Sequence, residues 1–92
     1  MTTGFSDSIR FMVGKAQNWV CAKCLKPIAS YHHKLPNTIY NQKIFPLFLS
    51  SPFNCVGLCQ ECHDKYPHLF RISTQKAEIY EEWLQQLKRG EI

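Results

Sequence analysis

Leu58-Cys59-Gln60-Glu61-Cys62-His63, residues 58–63, repeats the spacing of Cys21-Ala22-Lys23-Cys24, residues 21–24. Two thiolates separated by two residues grip one metal ion within a tight turn, and two such pairs close a tetrahedral site suited to zinc. Cys21, Cys24, Cys59 and Cys62 are therefore predicted to hold a structural zinc, with redox thiols as the alternative use of the same pairs. Zinc leaves the histidines unexplained. His63 follows the last knuckle directly, and a His32-His33 doublet lies between the pairs. The pattern points to a second, histidine-based site held in place by the first. Cys55, the fifth cysteine, reads as a small buried apolar residue.

A chain of 92 residues is expected to form one domain, residues 1–92, with a thin core that a metal staple would supplement. An apolar fraction of 45% and six Phe argue for a folded chain rather than a disordered one. The first residues, Met-Thr-Thr-Gly-Phe-Ser-Asp, lack a basic region followed by an apolar run, so no signal peptide is expected. The longest apolar stretch, Ile44 to Leu49, is interrupted by Pro46 and far too short to span a bilayer. Metal-binding thiolates suit a reducing, cytoplasmic compartment.

The charges are segregated. The net charge is +4, yet no Asp or Glu occurs between Ser8 and Gln60, while Arg10, Lys15, Lys23, Lys26, Lys34 and Lys43 all lie there. A one-signed region around the candidate metal sites suits a polyanion such as a nucleic-acid backbone; the bland alternative is a solvated basic face.

Periodicity predicts a helix over 8–18, with Ser6 or Asp7 as cap and Ile9, Met12, Val13 and Ala16 on one side; Gly14 counts against it. The chain then reads as knuckle, turn at Lys26-Pro27 and extended segment over 28–35, stopped by Pro36. Residues 37–52 read as loop, although Ile44 to Leu49 is greasy enough to pack in a core or to cover a partner chain. A second strand over 54–58 would hairpin back on the first, followed by a helix from Cys59 through Tyr66 that Pro67 ends. A last helix over 74–89, capped by Thr74 and closed by Gly90, carries Ile79, Trp83 and Leu87 as one apolar row, with Tyr80 and Leu84 beside it, expected to be core or docking surface. The fold class is small α+β.

Taken in order, Cys21-x-x-Cys24, Tyr31-His32-His33-Lys34-Leu35-Pro36, Asn54 and Leu58-Cys59-x-x-Cys62-His63 resemble the HNH endonuclease family over about residues 19–66. The resemblance implies a ββα-metal core, two antiparallel strands followed by a helix, with one catalytic divalent metal and, in zinc-knuckle members, a structural zinc. Position by position it implies that His33 is the general base, that His32 and His63 bind the catalytic metal, and that Asn54 holds the inter-strand loop so that the base is aimed. Some members carry a third metal-binding His four residues after the last motif His. Here that position is Pro67, and His68, one further on, is out of register and not expected to be a ligand. Lys34 and Lys65 are candidate phosphate contacts.

The chemistry fits those residue types. Imidazole, with an ordinary pKa of ~6.5, accepts a proton near neutral pH. Successive strand residues face opposite ways, so His32 and His63 can serve a metal while His33 does a different job, provided that the strand bends or ends there. A divalent ion such as Mg2+ with two protein ligands keeps positions open for water and a phosphate oxygen. Cys62 and His63 point ~100° apart on a helix, so one can face zinc and the other the strands. The helix start also favours anions. The expected partner is DNA, cut to a 3′-hydroxyl and a 5′-phosphate, with a homodimer through Ile44 to Leu49 as one conceivable assembly. The competing reading is a non-catalytic zinc module that binds nucleic acid or a partner protein.

Overall fold

A computed structural model describes residues 5–65 and 70–90. In chain order these form α1 (Asp7–Ala16), β1 (Ser30–His33), α2 (Ile39–Ile44), α3 (Pro46–Leu49), a 3-10 turn (Pro52–Asn54), β2 (Cys55–Leu58), α4 (Gln60–Lys65) and α5 (Thr74–Lys88). The result is a small α+β fold with a two-stranded sheet. The predicted run of α4 through Tyr66 to a stop at Pro67, and His68, lie outside the described residues. No helix among the described residues is long and apolar enough to cross a membrane.

Ser6 caps α1, its side chain accepting the Ile9 N–H at 3.3 Å. The helix ends in a Schellman turn, with Trp19 N–H donating to Gly14 O at 2.8 Å and Asn18 N–H to Lys15 O at 3.1 Å. Asn18 and Trp19 take positive φ of 55° and 63° there. Gly14 is what lets the turn close: a Cβ on it would overlap the Trp19 ring and lie 2.8 Å from the Tyr31 hydroxyl. The residue that argued against a helix is required by the contact at its end.

The strands pair antiparallel with Ser30 opposite Leu58, Tyr31 opposite Gly57, His32 opposite Val56 and His33 opposite Cys55. Alternation sends Ser30, His32, Val56 and Leu58 to one face. On that face Val56 and Leu58 pack with Cys21, Cys59 and Cys62. On the other, Cys55 and Tyr31 pack with Phe5, Ile9 and Val13. The outer edge of β2 is not left open: Gly57 O accepts from Gln17 Nε2 at 3.0 Å and from Ala22 N–H at 3.1 Å, and Gly57 N–H donates to Gln17 Oε1 at 3.0 Å. That edge pairing explains why β2 can be buried along its whole length.

Both strands are shorter than the sequence predicts, because Asn54 leaves the ladder for the preceding turn and its side chain takes the Leu35 N–H. Residues 37–52 are not a plain loop. Thr38 caps α2 through the Asn41 N–H, and Pro46 starts α3. Proline suits the first helical position, where no N–H is needed, so a residue that reads as punctuation here opens a helix. The greasy segment is core in part: Phe45, Phe48 and Leu49 are buried with Leu35 and Ala77, while Ile44 is 46% exposed.

The cap of α5 is Ser73 rather than Thr74, its side chain accepting the Lys76 N–H at 3.2 Å. Its buried row is Ala77 and Glu81, with Tyr80 and Leu84 packed beside them. Of the stripe expected to be core or docking surface, Tyr80 and Leu84 pack in the core, whereas Ile79, Trp83 and Leu87 are 69%, 40% and 47% exposed, Trp83 lying edge-on to Phe53. The physical reason is Glu81. Its carboxylate accepts the Leu47 and Phe48 N–H groups at the start of α3, at 3.1 and 2.8 Å, which turns the Ala77–Glu81 side of α5 inward.

Candidate metal centre and histidine pair

The sulfurs of Cys21, Cys24, Cys59 and Cys62 all lie within 4.8 Å of one another. Cys24 Sγ is 3.4 Å from Cys59 Sγ and 3.6 Å from Cys62 Sγ. Thiolates bound to zinc at ~2.3 Å stand ~3.8 Å apart along a tetrahedral edge, so the four sulfurs fit that ion. A disulfide needs ~2.05 Å, and no cysteine is so paired. Each knuckle turn adds a backbone donor to sulfur: Lys23 N–H to Cys21 Sγ and Cys62 N–H to Cys59 Sγ, both at 3.4 Å.

These donors shape the titration. Burial pushes against the Cys21 thiolate, yet backbone donation from the Cys24, Cys59 and Lys23 amides and the Cys62 thiol brings its pKa down to about 6. Burial drives Cys62 the other way, up to about 12, reinforced by the neighbouring sulfurs of Cys59, Cys24 and Cys21. Four adjacent thiols cannot all ionise without a cation among them. A soft divalent ion such as zinc is what this donor set suits.

Around the cluster, Cys21, Cys59 and Cys62 are at most 5% exposed. Lys26 on the first knuckle reaches Glu61 on the second at 2.5 Å. Cys59 O accepts the His63 N–H at 3.0 Å, so the knuckle that positions two sulfurs also positions the next imidazole.

His32 and His63 meet. Their rings stack with centroids 4.1 Å apart and planes 15° from parallel, joining β1 to α4 beside the sulfur cluster. Burial, then His63, then His33, hold His32 below the ordinary imidazole pKa and so favour its neutral, lone-pair-bearing form. Stacked rings aim their in-plane lone pairs along parallel planes. For both to reach one ion, a ring must turn about its Cβ–Cγ bond, a fast and inexpensive motion for an exposed side chain. His63 has that room, with its side chain 43% exposed.

His33 does not join the pair. Its ring stacks on Phe5 at 4.2 Å, with planes 24° apart, and by strand alternation belongs to the face that packs on α1. Burial holds its pKa below the ordinary value. Strand β1 ends at His33, and Lys34 N–H donates to Asn54 O at 2.8 Å. Asn54 acts on backbone. Fully buried, it accepts the Leu35 N–H at 2.7 Å and donates to Leu49 O at 3.1 Å, tying together both ends of the segment between the strands. Of the candidate phosphate contacts, Lys34 is half-buried beside Asn54, and Lys65 pairs with Glu61 at 3.2 Å.

No family model, no curated protein and no solved structure matches the chain.

Three residues at these sites escaped the sequence reading. Ser30 Oγ lies 2.6 Å from His32 Nε2, Asp64 Oδ1 lies 3.5 Å from His63 Nδ1, and Phe5 covers His33. Ser30 was within reach, since residues two apart on a strand share a face. Phe5 was not, because only the approach of α1 to the sheet brings it there.

Proposed function

We propose that the protein is a metal-dependent endonuclease of the HNH kind, hydrolysing DNA phosphodiester bonds on the β1–β2–α4 arrangement as a ββα-metal core. The observation that carries the reading is the His32–His63 stack beside four clustered sulfurs. The sequence motif demanded that these imidazoles, from distant points of the chain, be neighbours. Asn54, buried and bridging Leu35 to Leu49, supports it by holding the backbone just after His33.

In this reading zinc in the four-sulfur cluster has a structural role, fixing α4 and so the backbone of His63. His32 and His63 hold a divalent ion such as Mg2+, which supplies charge neutralisation at the phosphate and at the departing oxygen. His33, kept neutral by burial, takes the proton of an attacking water. Basic residues of the acid-free stretch, Lys34 among them, meet the phosphate backbone. The products are a 3′-hydroxyl and a 5′-phosphate, and one such site nicks one strand.

One observation favours a second reading, a zinc module that binds nucleic acid or protein without cleavage. It is the seat of His33 under Phe5, on the sheet face away from the pair. Plasmid DNA with Mg2+ or Mn2+ separates the two. Nicking by wild type that is lost in a folded His33→Ala variant supports the enzyme. Plasmid that stays intact with every divalent ion tried leaves the module.

A further inference from the structure

Ser30 and His32 stand two residues apart on the same face of β1, with Ser30 Oγ 2.6 Å from His32 Nε2. A neutral imidazole has one N–H and one lone pair, and the hydrogen bond made by one nitrogen decides which is which. Were the serine hydroxyl the donor, Nε2 would spend its lone pair on it and Nδ1 would carry the proton. That ring would offer no nitrogen to an ion. With Nε2–H donating to the serine oxygen, Nδ1 presents its lone pair. At His63 the neighbour lies on the other nitrogen: Nδ1 is 3.5 Å from Asp64 Oδ1, so Nε2 is the ring nitrogen turned away from that carboxylate.

We propose that Ser30 is a positioning residue whose hydroxyl oxygen accepts the Nε2–H of His32, so that His32 offers Nδ1 and His63 offers Nε2 to a shared divalent cation. The proposal rests on the reading of these histidines as a metal-binding pair and adds which nitrogen of each ring is used and what selects it. It also divides labour within the stack. The serine bond anchors the half-buried His32 ring, and the exposed His63 ring is the one that turns to complete the site. Residues behind a metal-binding imidazole orient it and raise its basicity, and their loss costs ~10- to 100-fold in metal affinity.

The test compares wild type, Ser30→Ala and Ser30→Thr, all zinc-loaded. Long-range proton–nitrogen spectra of the histidine rings report the tautomer, and paramagnetic resonance of free Mn2+ reports affinity. Wild type is expected to hold His32 with its proton on Nε2. Ser30→Ala is expected to show a mixed tautomer and to bind Mn2+ about tenfold more weakly. Ser30→Thr, which keeps the hydroxyl, should restore both. A proton on Nδ1 of His32 in wild type overturns the proposal. So does a folded Ser30→Ala protein that binds Mn2+ as tightly as wild type; in that case the metal pair stands and only the role of Ser30 falls. Wild type that binds no Mn2+ removes the metal pair itself, and this proposal with it.

Discussion

Asn54 reaches across nineteen positions to accept the Leu35 N–H at 2.7 Å, one residue beyond the point where Lys34 N–H donates to the Asn54 carbonyl. One asparagine thus closes the segment between the strands twice, by side chain and by backbone. The chain just after His33 is pinned to the chain just before Cys55.

Replacing Asn54 with Ala strips the buried Leu35 N–H and Leu49 C=O of their partners and leaves a void. The expected loss is ~3 kcal/mol, from unsatisfied polar groups plus cavity. Urea unfolding in excess zinc measures it. Because the sulfurs sit elsewhere, zinc content should be unchanged, whereas any cleavage activity should collapse. A variant as stable as wild type would mean that Asn54 does not hold the segment.

Glu81 is 5% exposed and satisfied at the start of α3, with Gln85 Nε2 donating to its other oxygen at 3.0 Å. Glu81→Ala should cost ~2–3 kcal/mol, since two backbone donors and a charge-assisted bond are lost together. Glu81→Gln, which keeps the shape and one acceptor, should cost about half as much. Thermal unfolding of the two variants orders them; equal effects would show that the carboxylate charge carries the contribution and that the shape and the remaining acceptor of Gln add nothing to it.

How much of this was legible in the sequence depends on the range of the interaction. The four cysteines announce their cluster because a two-residue spacing is a local property of a turn. The His32–His63 contact could be expected from the order of the motif, and the antiparallel hairpin from two short apolar runs. That Ala77 and Glu81 form the buried side of α5 was not legible. Ile79, Trp83 and Leu87 have helical spacing, but the face that turns inward is chosen by Glu81 bonding to α3, more than thirty residues away. Pro46 misled for a related reason, since whether a proline ends or begins a helix depends on the packing of the residues after it. The seat of His33 under Phe5 likewise belongs to tertiary packing, not to any pattern within β1.

Thiol chemistry checks the metal centre independently of any activity. Cys55 is 4% exposed, and burial raises its pKa to about 11, so its thiolate is scarce at neutral pH. In zinc-loaded protein an alkylating agent is expected to modify no cysteine quickly. With a chelator, Cys21, Cys24, Cys59 and Cys62 should become reactive as the clamp opens, and Cys55 should lag until the chain unfolds. Mass spectrometry of the labelled peptides reads the order. Labelling of the knuckle cysteines at the same rate with and without chelator would mean that no metal was held.

Acid dependence tests the role of His33. A general base works only when neutral, so the rate rises with pH through its pKa and is flat above. Burial lowers the His33 pKa, which places that rise below the ordinary ~6.5 at saturating divalent metal. Phe5 stacks on the His33 ring, its centroid 4.2 Å from that of the imidazole. Phe5→Leu should admit water, make the imidazolium easier to form and raise the pKa of His33. The acidic limb of kcat/KM should then move to higher pH, in step with the ring-proton titration of His33 by NMR. A titration that shifts while the rate profile stays fixed would show that another group limits the reaction in acid, and would remove His33 from the role of base.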